Sequence, residues 1–133
     1  LNLNIAKHSL SKNIKKDTEI YLVDSYGEAS NFYKISKVTF VGGSLVPHGG
    51  QNPLEPARDG NYILHGPYVD NFKETYSMLK ELKISEKINN SSKVEKIINK
   101  KIKYSQSKSV NKKLFLIGEK ILRNNLIEIN RFI

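Results

Sequence analysis

Residues 38–56 read Val38-Thr39-Phe40-Val41-Gly42-Gly43-Ser44-Leu45-Val46-Pro47-His48-Gly49-Gly50-Gln51-Asn52-Pro53-Leu54-Glu55-Pro56, and the fold class turns on how they are parsed. Val38 to Val41 is a short run of β-branched and aromatic residues without a charge, which predicts a buried central strand. The run breaks at Gly42-Gly43, and a loop with a second pair, Gly49-Gly50, follows. Asn52-Pro53-Leu54-Glu55 then has the grammar of a helix start, with Asn at the N-cap, Pro at N1 and Glu at N3. A strand, a glycine-rich loop and a helix N-terminus together make an anion site: free N–H groups and the positive end of the dipole converge there. So many glycines are costly to order, which favours a binding loop over a plain connection.

The flanking chain extends the pattern. Residues 2–6 alternate as an edge strand, 7–16 read as a polar loop, and 19–24 form a second strand. Asp24-Ser25-Tyr26-Gly27-Glu28 turns into a short helix with Ala29, Phe32 and Tyr33 on one face. The helix begun at Pro53 runs to about Asp59, with Gly60 as its C′ residue. Tyr62-Ile63-Leu64 is a further strand ended by Gly66-Pro67. Residues 71–83 read as a helix with Phe72, Tyr76 and Leu79 inward, and 84–88 as an edge strand. Ser91-Ser92 precede a helix carrying Val94, Ile97, Ile98 and Ile102 on one face. The last helix, about 109–133, has Leu114, Ile117, Ile121, Leu122, Leu126, Ile129 and Ile133 as its stripe. Strands alternating with helices predict an α/β fold, a parallel sheet with helices on both faces, whose ligands bind beyond the carboxyl ends of the strands.

Composition narrows the function. The 133 residues contain no cysteine, which removes disulfides, thiolate metal sites and cysteine nucleophiles. No apolar run approaches the ~20 residues of a membrane span, so the chain by itself is expected to be soluble. It opens Leu1-Asn2 without an initiator Met, and is expected to be a piece of a longer protein. The net charge of +9 is uneven: residues 1–83 hold ten Lys/Arg against nine Asp/Glu, residues 84–133 twelve against four. That basic third suits solvation, anionic lipid or nucleic acid. The glycine spacing is neither Gly-x-Gly-x-x-Gly nor a P-loop, the three histidines are scattered, and Ser44 lacks a nucleophile motif. No metal site is expected. Glu55 reads either as a capping-box residue or as a carboxylate offered to vicinal hydroxyls, the second being favoured by the glycines upstream. His48 and His65 read equally as ligand contacts or as ordinary side chains.

Phe40 to Pro56, together with Asp24-Ser25-Tyr26-Gly27-Glu28 upstream and Gly66-Pro67-Tyr68 with Asn71-Phe72 downstream, resembles the signature of bacterial 3-deoxy-D-manno-octulosonic acid (Kdo) transferases. The resemblance covers about residues 1–85 and implies the C-terminal, Rossmann-like domain of a GT-B glycosyltransferase. It implies a single donor-binding domain over 1–133, whose helix 109–133 packs toward the N-terminal domain. Its donor would be CMP-Kdo, with Gly27, Glu28 and Ala29 bordering the nucleotide and Asn52, Pro53, Leu54 and Glu55 holding it, Glu55 on the ribose. Gly43, Ser44, His48, Gly49 and Gly50 would lie near phosphate and sugar. The family transfers Kdo to the lipid A precursor at the cytoplasmic face of the inner membrane, inverting, without metal or cofactor. Its catalytic carboxylate lies in the N-terminal domain and an Arg-His motif upstream of Leu1, so this chain alone is expected to bind donor weakly and to be inactive. Ser25, Ala29 and Gln51 depart from the usual Thr, Leu and His; Gln51 keeps hydrogen bonding but not positive charge. The alternatives are a GT-B domain for another nucleotide sugar, a basic nucleic-acid-binding α/β module, or a non-catalytic domain keeping only the fold. The first reading predicts no nucleic-acid partner but peripheral contact with a membrane surface.

Overall fold

A computed structural model describes residues 2–103 and 105–131. The chain divides into two compact units, Leu1–Phe32 and Tyr33–Ile133. In the first, β1 (Ile5–Lys7) pairs in parallel with β2 (Ile20–Leu22), Ile5 opposite Ile20. The residues between them hold that register: the Glu19 N–H donates to Asn4 O, and the His8 N–H to Leu22 O, both at 2.9 Å. Helix α1 (Ala29–Ile35) spans the division between the units.

The second unit contains a parallel three-stranded sheet in the order β3 (Val38–Val41), β4 (Tyr62–His65), β5 (Ser85–Lys87). The short helix α2 (Leu54–Arg58) joins β3 to β4. A 3-10 turn (Asp70–Phe72) and α3 (Lys73–Glu81) join β4 to β5. Helices α4 (Ser91–Lys101) and α5 (Lys108–Asn130) follow. The two-residue period of β4 sends Ile63 to a cluster with Ala57, Tyr76, Leu79, Ile84 and Leu114, and sends Tyr62 and Leu64 to a second cluster with Ile88 and Ile97. Helices therefore cover both faces, as expected of a parallel sheet.

Two local expectations need correction. Val38–Val41 is not the central strand of the described sheet. Only Val41 is buried, Phe40 is 41% exposed, and the middle position belongs to β4, whose four residues are all buried. Ser91 and Ser92 do not precede α4 but begin it. The cap is Asn90, whose side chain accepts the Lys93 N–H at 3.0 Å. Along the stripe of α5, Leu114 is buried while Ile121, Leu122, Leu126 and Ile129 are exposed, as suits a helix expected to pack toward another domain; Ile133 lies outside the described residues.

Candidate functional site

The loop after β3 is held by the loop after β4. The Ser44 hydroxyl, fully buried, donates to Val41 O at 2.7 Å and accepts the Gly66 N–H at 2.9 Å. Tyr68 N–H donates to Ser44 O, and Asn71 N–H to Gly49 O. A Cβ at Gly66 would collide with the Ser44 carbonyl, and one at Gly50 would stand 3.2 Å from Tyr68 O. Gly49 and Gly50 also adopt positive φ, 88° and 76°. Much of the glycine content is thus explained by two loops lying backbone to backbone, a structural reason that the reading as a binding loop undervalued. Ser44 is corrected with it, because its hydroxyl is spent inside the protein and has no face toward a ligand. Gly43, with φ 65°, accepts the Gly50 N–H and is flanked by His48 and Gln51, both exposed.

The start of α2 also differs from the expectation. The helix is counted from Leu54, with Pro53 in the cap position, but Asn52 Oδ1 accepts the Leu54 N–H at 3.0 Å and does the capping. No capping-box bond returns from Glu55 among the described residues. Pro53 and Pro56 have no N–H, and that of Leu54 is taken by Asn52. The two prolines therefore reduce the N–H groups that this helix end can offer an anion. What the first turn does offer is a carboxylate. Glu55 is exposed and lines a cavity of about 860 Å3 between α2 and α5, with Asn52, Arg58, Asp59, Asn111, Lys112 and Phe115.

Tyr33 stands close by. Asn61, fully buried, accepts from the Thr39 hydroxyl at 2.6 Å and donates to Tyr33 O at 2.7 Å, fixing the end of α1 against the sheet. Burial, and then the charges of Glu55 and Asp59, raise the Tyr33 phenol above its ordinary pKa, so it stays a protonated donor near those carboxylates. Sequence reading missed Tyr33, Arg58, Asn111, Lys112 and Phe115 as neighbours of Glu55. Only Arg58, three residues on along the helix, was within reach of it.

The first unit carries the other expected segment. Gly27, at φ 87°, and Ala29 are exposed, and Glu28 is half-buried. Glu28 accepts from Asn31 Nδ2 at 3.0 Å and lies 3.9 Å from His8 Nε2. His8 in turn meets the Tyr21 hydroxyl at 2.9 Å. The Asp24 carboxylate takes the Ser9 hydroxyl at 2.7 Å and the Ser9 N–H at 3.0 Å, which holds its pKa below the ordinary value. The predicted polar loop 7–16 thus begins with residues bonded to the segment after β2. Parallel pairing of β1 with β2 brings Lys7-His8-Ser9 beside Asp24–Glu28, a juxtaposition without a local sequence signal.

No family model matches the chain. Over 67 residues, half of the chain, it is 46% identical to the 3-deoxy-D-manno-octulosonic acid transferase of Haemophilus influenzae. Over 71 residues, 51% of the chain, it is 38% identical to the enzyme of that name from Aquifex aeolicus. A crystal structure described as the C-terminal CMP-Kdo binding domain of WaaA from Acinetobacter baumannii superposes over 91% of the chain, with a TM-score of 0.72 and 30% identity. The chain matches the C-terminal domain of the Kdo transferases. It spans 16% and 20% of the two enzymes' lengths and 62% of the solved chain. The expected class, a Rossmann-like α/β domain of the GT-B type, is borne out.

Proposed function

We propose that this chain is the donor-binding part of a glycosyltransferase that moves Kdo from CMP-Kdo to the lipid A precursor in lipopolysaccharide assembly. The observation that carries the reading is the match in sequence and fold to a CMP-Kdo binding domain, joined to an exposed carboxylate at the expected ribose position. Glu55 accepts from the ribose hydroxyls, while Asn52, Pro53 and Leu54 form the wall it projects from. Two prolines leave little N–H capacity there, so this segment grips the sugar of the nucleotide more than its phosphate. Gly43, His48, Gly49 and Gly50 are proposed beside phosphate and Kdo, through backbone and through the His48 ring rather than through Ser44. For Gly27, Glu28 and Ala29 the resemblance alone supports contact with the nucleotide.

The transfer inverts the anomeric centre, uses no metal or cofactor, and draws its catalytic carboxylate from the N-terminal domain, so this chain binds without catalysing. The enzyme works at the cytoplasmic face of the bacterial inner membrane, and the basic residues 84–133 favour contact with anionic lipid. Calorimetry of the chain with CMP-Kdo, with and without Glu55→Gln, tests the donor site. Loss of about tenfold in affinity is expected, the equivalent of one charge-assisted hydrogen bond. Equal affinity of the two proteins would remove Glu55 from the site.

A further inference from the structure

A second cavity, about 540 Å3, lies between α3 and β5 and shares no lining residue with the one beside Glu55. Two periodicities build it. Lys73, Tyr76, Ser77 and Lys80 fall at i, i+3, i+4 and i+7, one face of α3. Ser85 and Lys87 share one face of β5, and Glu86 between them also borders the cavity. His65, opposite Lys87 in the ladder, and Tyr76 form its floor, their rings 4.3 Å apart.

Its charge is one-sided. Four lysines line it against one acid, Glu86, which is already paired with Lys93 at 3.2 Å. Lys73, Lys80 and Lys87 make no ion pair among the described residues. The floor adds no negative group, since the His65 Nδ1–H is given to Gly66 O at 2.7 Å. The second observation is independent of charge. Ser85 is 6% exposed, and its hydroxyl has no hydrogen-bond partner among the described residues. A buried hydroxyl without a partner is costly, and here it sits in the wall of a basic cavity.

We propose that this cavity binds a phosphate group, with the Ser85 hydroxyl donating to one oxygen and the ammonium groups of Lys73, Lys80 and Lys87 balancing the charge. Three cations from two elements suit a tetrahedral dianion better than a planar carboxylate, which one or two would satisfy. A soluble phosphate ester and the headgroup of a phosphorylated lipid present the same group.

The test titrates the whole chain with inorganic phosphate at constant ionic strength, following the Ser85 and Lys87 amides and the His65 ring by NMR. Saturable shifts are expected. The double variant Ser85→Ala, Lys87→Gln is expected to lose about tenfold or more in affinity. Its thermal transition should hold, because Ser85→Ala removes an unsatisfied hydroxyl and Lys87 is an unpaired cation. Glu55→Gln should leave phosphate binding unchanged, which separates this site from the donor site. Glycerol phosphate and phosphatidate vesicles then distinguish the sources: binding of vesicles that the double variant loses assigns a lipid, and binding of glycerol phosphate alone assigns a soluble ester. Shifts no larger than those from matched chloride, or affinity that survives the double variant, would overturn the proposal.

Discussion

At the scale of single residues, Glu55 and Ser44 illustrate opposite fates of polar side chains in one loop. The Glu55 carboxylate is exposed and makes no hydrogen bond or ion pair among the described residues, so Glu55→Gln should leave the unfolding midpoint unmoved while CMP binding falls. Ser44→Ala should do the reverse. It strands the buried Gly66 N–H, at a cost of about 1–3 kcal/mol in urea unfolding, with little change in binding. Wild-type stability in that variant would contradict the two-loop clasp. The sequence marked both residues as special but did not tell which was structural, because the deciding partner of Ser44 lies 22 residues away. His65 behaves similarly. Burial, against the bond to Gly66, lowers its pKa below the ordinary 6.5. The unfolded chain therefore binds the proton more readily, so stability is intact above pH 6.5 and is lost as pH falls from there toward the lowered folded value. Urea unfolding of the wild type and of His65→Gln between pH 7.5 and 5 checks it: the variant should show the flatter slope.

Among the elements, α5 is the least self-sufficient. Leu114 is 1% exposed and anchors the helix to the cluster under α2 and α3. The described apolar residues beyond Gly118 are open in this chain: Leu122 is 61% exposed and Ile129 53%. Leu114→Ala should therefore cost about 2–5 kcal/mol, whereas a chain ending at Gly118 should unfold within about 1 kcal/mol of the full one. A large loss on truncation would mean that the distal turns are packed after all. Helical periodicity made α3, α4 and α5 legible, since 3.6-residue spacing writes itself into the sequence wherever one face is apolar. The strands were legible as elements but not as positions. Val38–Val41 and Tyr62–Leu64 are alike in composition, and only pairing on both sides makes β4 central. The strength of an anion site at α2 depends on local detail that the helix-start pattern leaves out, since Pro53 and Pro56 each lack an N–H.

For the whole molecule, charge and binding are separate questions. The excess of positive charge falls in residues 84–133, away in sequence from Asn52–Glu55. Association with anionic vesicles, if it rests on these lysines, should fade as salt rises toward 1 M, where the screening length is about 3 Å. It should also weaken when lysines of 84–133 are replaced by glutamine in the enzyme containing its N-terminal domain. Vesicle binding unchanged by those substitutions would refute that role. The central claim, that this domain holds a cytidine nucleotide, is tested most directly by titrating the chain with CMP, UMP and ADP in parallel and following the backbone amides. The expected result is a saturable response to CMP well before the other two, centred on Asn52–Glu55 and Gly27–Ala29. A folded chain that answers all three nucleotides alike, or answers CMP only at residues outside those segments, would contradict it.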